Sequence, residues 1–317
     1  MPRPRSPFDL RLLTKVSELY YLQNLTQQQI ARRLRLSRPK VSRLLKQARR
    51  LGIVQITIRG ASQFVELESE LERRYRLLEA VIVETPSPGD DALLKKQLGA
   101  AAADYLRRTV QAGDVIGMTW GTTLQAMIQQ LQAMPTTKVH VVQTLGGIGP
   151  PEAEAYAADL SRRLAQLLQA PVTLLPAPGI VHRPEAREVL LSDRYVQAAL
   201  SLFPRLTVAY TGIGALNTNP VFQTKDEQLQ RFYEELQAAG AIGDIAMRFY
   251  DSRGRSVRTS LDQHLIGITL EELRRVPRVV GIAGGPAKVE AIRGALRGGY
   301  IKVLITDHET AEQLLAD

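Results

Sequence analysis

The chain has 317 residues, 44% hydrophobic and 23% charged, a composition that excludes collagen-like, low-complexity and mostly disordered classes and suggests two domains or one with an appendage. It has no cysteine, which excludes disulfides, thiolate nucleophiles and cysteine-ligated metals. No stretch nears the roughly 18 apolar residues of a membrane span, and no leader-like apolar core follows Met1, so a cytoplasmic location without a membrane partner is expected. The charge of +9 is uneven: residues 1–60 carry 14 Lys and Arg against Asp9 and Glu18, whereas residues 61–317 carry 27 against 30 acidic residues. A basic unit joined to a mildly acidic one points to a polyanion partner for the first alone.

The basic unit reads as a winged helix-turn-helix over residues 1–60. Asp9 is placed to cap a helix running to about Gln23, with Leu12, Leu13, Val16, Leu19 and Tyr20 as its apolar stripe. Thr26-Gln27-Gln28-Gln29 has the form of a capping box, and Ile30, Ala31 and Leu34 face inward from the helix it opens. After the turn at Arg35-Leu36, Ser37 can cap a third helix, with Pro39 in its first turn. Val41, Leu44, Leu45 and Ala48 fall on one face of that helix, and Ile53–Ile58 alternates as a strand.

Burying Val41, Leu44 and Leu45 turns Arg38, Lys40, Ser42, Arg43 and Lys46 the other way. The second helix of such a motif enters the major groove of double-stranded DNA. Arg38, Lys40 and Arg43 are therefore the candidates for base edges, because a guanidinium fork matches the two acceptors of guanine. Ser37 and Ser42 have short donors suited to phosphate, and Arg32, Arg33, Lys46, Arg49 and Arg50 are placed to contact the backbone.

Residues 61–317 read as one α/β domain, a doubly wound, mostly parallel Rossmann-like sheet. A charged helix from residue 62 serves as a connector or an oligomer contact. Strand-like runs follow at 81–83, 115–118, 139–142, 172–175, 206–209, 279–282 and 301–305, most without alternation, as strands buried on both faces should be. Helical segments near 92–111, 122–133, 153–169, 226–238, 287–297 and 309–315 lie between them. Residues 243–257 look like an inserted hairpin turning at Ser252-Arg253-Gly254.

In such sheets ligands bind beyond the carboxyl ends of the strands. Four glycine-rich loops are expected there, carrying Gly121 with Thr122 and Thr123, Gly146 with Gly147, Gly212 with Gly214, and Gly284 with Gly285 and nearby Lys288. A helix start after a glycine favours an anion. Lys288 is a phosphate or hydroxyl partner or a solvated lysine, and Asp244 bonds ligand hydroxyls or, on the favoured reading, pairs with an arginine.

Two runs carry a family resemblance. LTQQQIARRLRLSRPKVSRLLKQARRLGIVQITI, from Leu25 to Ile58, resembles the DNA-binding segment of the SorC family of sugar-responsive bacterial transcriptional regulators. GGPAKVEAIRGALRGGYIKVLITD, from Gly284 to Asp307, is similar to that family's C-terminal signature. The resemblance spans essentially the whole chain. It implies an operator-binding N-terminal domain, an effector domain binding a sugar or sugar phosphate, and a homodimer or homotetramer. That effector domain is similar in fold to glucosamine-6-phosphate deaminase and ribose-5-phosphate isomerase, an analogy in which Gly121, Thr122 and Thr123 would hold the phosphate. Some members carry an arginine before the double glycine; Leu145 stands there here, which speaks against a bisphosphate sugar.

The alternative is a sugar-phosphate isomerase or deaminase-like enzyme. In those enzymes a loop like Gly212–Asn217 supplies proton-moving side chains, but here Ala215 and Leu216 can neither donate nor accept a proton. His140, His182, His264 and His308 have no metal-binding spacing, and His182 alone is expected near the ligand edge. No catalytic residue, metal or cofactor is expected.

Overall fold

The computed structural model describes residues 7–55, 64–85, 90–148 and 151–316, the side chains of 7–9 and 151–157 excepted. They fall into two compact units, one within residues 1–61 and one within 62–317. In the first, α1 (Pro7–Ser17) continues as one π-helical turn over Glu18–Leu22, α2 spans Gln27–Leu34 and α3 spans Arg38–Arg50. Asp9 lies within α1 as described from Pro7, and its side chain, expected to cap the helix, lies outside what is described. Asn24, at φ +54°, breaks the chain direction. The Thr26 hydroxyl accepts the Gln29 amide while the Gln29 side chain accepts the Thr26 amide, two of the bonds a helix start otherwise lacks. Ser37 caps α3 by accepting the Lys40 amide. Val16, Leu19, Ile30, Ala31, Val41 and Leu45 form one buried cluster where the three helices meet, and Leu13 and Ala48 are buried as well. Burial of each larger side chain contributes about 1.5–3 kcal/mol.

The expected wing strand is not formed at its described end. The amides of Ile53 and Val54 both donate back to the Ala48 carbonyl, so the chain is still wrapped on the end of α3 and bends there. Ile56, Thr57 and Ile58 lie outside the described residues.

In the second unit, α4 (Val65–Tyr75) leads to β1 (Glu79–Val83), α5 (Asp91–Thr109), β2 (Val115–Met118), α6 (Thr122–Gln130), β3 (His140–Gln143), α7 (Pro151–Leu168) and β4 (Val172–Thr173). Then come α8 (Pro184–Ser192), α9 (Arg194–Leu200), β5 (Val208–Gly212), β6 (Gly214–Ala215), α10 (Glu227–Ala238), β7 (Gly243–Ile245) and β8 (Arg248–Tyr250). The last elements are α11 (Leu270–Arg275), β9 (Arg278–Ile282), α12 (Val289–Arg297), β10 (Val303–Asp307) and α13 (His308–Leu315). Seven strands form one sheet in the order β1-β10-β9-β5-β2-β3-β4, with every pairing parallel. One apolar cluster joins Leu98, Leu106, Met127, Leu164, Val280 and Ile305. Another joins Ala209, Val279, Ile292, Leu304 and Leu314. Neighbouring strand residues such as Val279 and Val280 thus feed opposite clusters, which is why these strands do not alternate with polar residues.

The connector helix α4 seals an edge. The carboxylates of Glu68 and Glu72 accept the amides of Ile82 and Ala80, each at 3.0 Å, so β1 presents no free donors on that side.

The inserted hairpin turns earlier than expected. β7 and β8 pair through Ala246-Met247, at φ +54° and +60°, and β6 adds a third antiparallel strand. The Asp244 carboxylate accepts the Met247 amide at 3.1 Å and holds this turn without glycine or asparagine. Ser252–Gly254 makes a second turn, closed by a bridge between Tyr250 and Ser256.

Candidate functional site

On α3, Arg38, Lys40, Arg43 and Lys46 are exposed while Val41, Leu45 and Ala48 are buried, so one helix presents a basic face opposite an apolar one. Ser37 is exposed, with its oxygen engaged as the cap; Ser42 is half-buried. Among the described residues none of Arg32, Arg33, Arg38, Lys40, Arg43, Lys46 and Arg50 makes an ion pair, the sole such pair in this unit being Lys15–Glu18. Their charge is therefore uncompensated at the surface. Arg49 differs: its Nε donates to the Tyr21 hydroxyl at 2.8 Å and its guanidinium lies 5.6 Å from that ring's centroid, which commits it to joining the first and third helices.

In the larger unit a cavity of about 180 Å³ opens at the carboxyl ends of β2 and β5. Gly121, Thr122, Thr123, Gly212, Gly214 and Lys288 line it, joined by Asp244 and Asn219. Pockets for drug-sized molecules run to about 300–1,000 Å³, so this one suits a small, polar ligand. Gly121 begins α6 at φ +138°, a conformation open to glycine, and offers no side-chain cap. The first-turn amides of α6 thus carry their partial positive charge beside the Thr122 and Thr123 hydroxyls. Thr123 is buried and Thr122 exposed.

Asp244 is buried, and not by pairing with an arginine. Its Oδ1 accepts the Asn219 side-chain amide at 3.0 Å and its Oδ2 the Met247 amide. Burial, opposed by these two bonds and by nearby Lys288, raises its carboxyl to about 6. Gly214 is required here: a Cβ would stand 2.1 Å from the Asp244 carboxylate. Burial, then the charge of Lys95, lowers Lys288 from its ordinary value, against the pull of Asp244 and Asp91. The cavity therefore brings together a cation, a helix start, a carboxyl and an amide, a set that can hold an anion and the hydroxyls of one small molecule.

The remaining glycines are not brought to this cavity. Gly146 packs against the Ala177–Gly179 backbone, where a Cβ would stand 2.5 Å from the Ala177 carbonyl oxygen, and the Gly147 amide donates to that carbonyl. The Gly285 amide donates to Asp307 and Thr310, and Gly284 lies against the same carboxylate. These loops approach other backbone and side chains. His182 borders a separate groove with Gln228, whose side chain it contacts at 2.5 Å. Asn219 is the lining residue that the sequence did not signal, lying in an irregular segment between β6 and α10, whereas Asp244 already stood out as an acidic residue beside Gly243 and Ile245.

Among the described residues no three His, Asp or Glu side chains are grouped to hold a metal, and no helix is long and apolar enough to cross a membrane. The chain matches the sugar-binding domain family over residues 60–316 and sigma-70 region 4 over residues 15–51. It is similar to the deoxyribonucleoside regulator of Bacillus subtilis, at 34% identity over 97% of this chain and 98% of that one. It is also similar to the sorbitol operon regulator of Klebsiella pneumoniae, at 33% identity over 97% and 98% of the two chains. The crystal structure of the full-length Klebsiella regulator superimposes with a TM-score of 0.74 at 31% identity, covering 97% of this chain and 99% of that one.

Proposed function

This chain belongs to the SorC family of sugar-responsive bacterial transcriptional regulators, and from that premise we propose that residues 1–60 bind a DNA operator while residues 61–317 bind a sugar phosphate that controls it. The observation that carries this reading is the convergence of Lys288, the α6 start and Asp244 on one cavity. The phosphate ester is held by Gly121, Thr122, Thr123 and Lys288, and the sugar hydroxyls by Asp244 and Asn219. Ser37, Arg38, Lys40, Ser42, Arg43 and Lys46 meet the operator, the arginines at base edges and the serines at phosphates. The protein acts in the cytoplasm as a homo-oligomer, so that two such helices meet two half-sites.

Sugar binding changes operator affinity only if the sugar binds the DNA-free and DNA-bound forms unequally. The raised Asp244 carboxyl favours the enzyme reading by putting a titratable group in the cavity, but both its oxygens already accept bonds from Asn219 and Met247. We read the chain as a regulator that releases its ligand unchanged.

A thermal-shift screen of the full chain against sugars and their phosphates tests this. A ligand at about 100 times its Kd stabilises by roughly 2.7 kcal/mol. One phosphosugar should raise the melting temperature, lose that effect in Thr122→Ala and Lys288→Ala, and alter operator affinity. A shift by free polyols alone overturns the phosphate assignment, and turnover of the phosphosugar overturns the regulator.

A further inference from the structure

We propose that helix α13 carries the occupancy of the Lys288 cavity to α4, the helix that follows the DNA-binding unit in the chain, an inference that rests on the sugar-phosphate reading of that cavity. Residues 1–61 form one unit and Phe64 leads into α4, so the covalent path from the effector unit to the basic helices starts at α4. Through Glu68 and Glu72 this helix holds β1, which β10 and β9 separate from β5 and the cavity. It also holds α13, and does so at both ends. The Phe64 ring stacks on the His308 ring, with centroids 5.4 Å apart and planes within 13°. At the far end the Tyr75 hydroxyl donates to the Leu314 carbonyl at 2.8 Å, and Arg74 donates to the Leu315 carbonyl at 2.7 Å. Those carbonyls belong to the last turn of α13, where acceptors have no partner within the helix.

The same helix is tied at both ends to the chain around Lys288. Lys288 lines the cavity, and its amide donates to the Gly285 carbonyl at 3.0 Å. The Gly285 amide in turn donates to the Asp307 carboxylate and the Thr310 hydroxyl, at 2.8 and 2.9 Å. Asp307 caps α13, and the Thr85 amide donates to the next residue's ring, at His308 Nδ1, at 2.9 Å. That bond fixes the ring on which Phe64 stacks. Beyond Lys288, α12 carries the buried Arg293, which donates to the Gln313 and Leu314 carbonyls. The Leu314 carbonyl thus takes one donor from the cavity side and one from α4. The Gly285 and Arg293 donors are buried, and a buried donor that loses its acceptor is costly, so loop and helix move together. A rigid element bonded to both segments is a physical link of the kind that coupling needs. An anion drawn to Lys288 and the α6 start shifts the Pro286–Lys288 turn, and α13 passes that shift to Phe64 and Tyr75.

Trp120 is the chain's one tryptophan and lines this cavity, and the chain has no cysteine. The full-length protein can therefore carry two separate reporters: Trp120 fluorescence for the cavity, and an environment-sensitive dye on Glu66→Cys, an exposed position of α4. Both are followed while inorganic phosphate is titrated at constant ionic strength, and both should change with one dissociation constant. Phe64→Ala should leave the Trp120 titration within about twofold and reduce the dye response at least about fivefold, the lower end of usual coupling factors. Tyr75→Phe removes one hydroxyl and keeps the ring, so it tests the link whatever Phe64→Ala does to folding; it should reduce the dye response about twofold with the melting temperature unchanged. Phe64→Tyr, which keeps the stack, should respond as the parent does. A silent dye while Trp120 responds, or a full dye response in Phe64→Ala or Tyr75→Phe, overturns the α13 link and leaves the cavity assignment standing. Absence of any Trp120 response to phosphate strikes the cavity assignment itself, and the link with it.

Discussion

The Gly285 amide donates to the buried Asp307 carboxylate at 2.8 Å, tying the loop after β9 to the end of β10. The same carboxylate accepts the hydroxyls of Thr85 and Thr310 and the Thr310 amide. A Cβ on Gly284 would lie 2.2 Å from it. The glycine pair that opens the C-terminal run therefore serves the joint between two strands, and Lys288 stands three residues beyond that joint.

Asp307→Ala leaves the Gly285 and Thr310 amides buried without this acceptor. An unpaired buried donor costs roughly 1–3 kcal/mol, so calorimetry should show the effector unit losing about 3 kcal/mol of stability. Gly284→Ala should act in the same direction, by pushing the carboxylate away.

On DNA, Arg43→Ala should cost about 1–3 kcal/mol against the specific operator and relax the preference at one base pair. Lys46→Ala should weaken all sequences alike and reduce the log–log salt slope by about 0.9. Equal losses on specific and random duplexes for Arg43→Ala would assign that residue to phosphate.

Asp244 makes stability depend on pH. Its folded-state value of about 6 lies above the ordinary aspartate value, so the folded chain retains the proton over that interval. Its contribution is full below about pH 4 and is lost as pH rises through about 6, a change worth about 3 kcal/mol. Denaturant titrations of wild type and Asp244→Asn at pH 4 and 7 should show their stability difference moving by that amount in favour of the variant. A difference independent of pH would mean that the carboxyl titrates normally.

The strands of the large sheet were legible because Val- and Ile-rich runs such as 279–282 feed apolar clusters on both faces. The helices α8, α9 and α11 were not, since the first has no fully buried residue to set a clear apolar stripe and the other two span seven and six residues. A signal for α11 was present in Thr269 and Glu272, which form a capping box. The hairpin turn at Ala246-Met247 was hidden because neither residue favours positive φ, and only the folded position of Asp244 explains it. At the site, Gly121–Thr123 could be read as a loop after a strand. The assembly of Asp244, Asn219 and Lys288 could not, because it joins three segments far apart in the chain.

The order of the sheet also sets a timetable for synthesis. β1 pairs only with β10, Glu79 opposite Val303, and its other edge is already blocked by Glu68 and Glu72. As the polypeptide leaves the ribosome, the three-helix unit has all its core residues within the first 50 or so positions. β1 must wait for the last strand, with one edge unpaired for the whole interval. A nascent chain therefore carries a foldable basic head long before its larger unit can close. Changes that slow translation or weaken β10 should lower the yield of assembled protein through aggregation of that waiting edge.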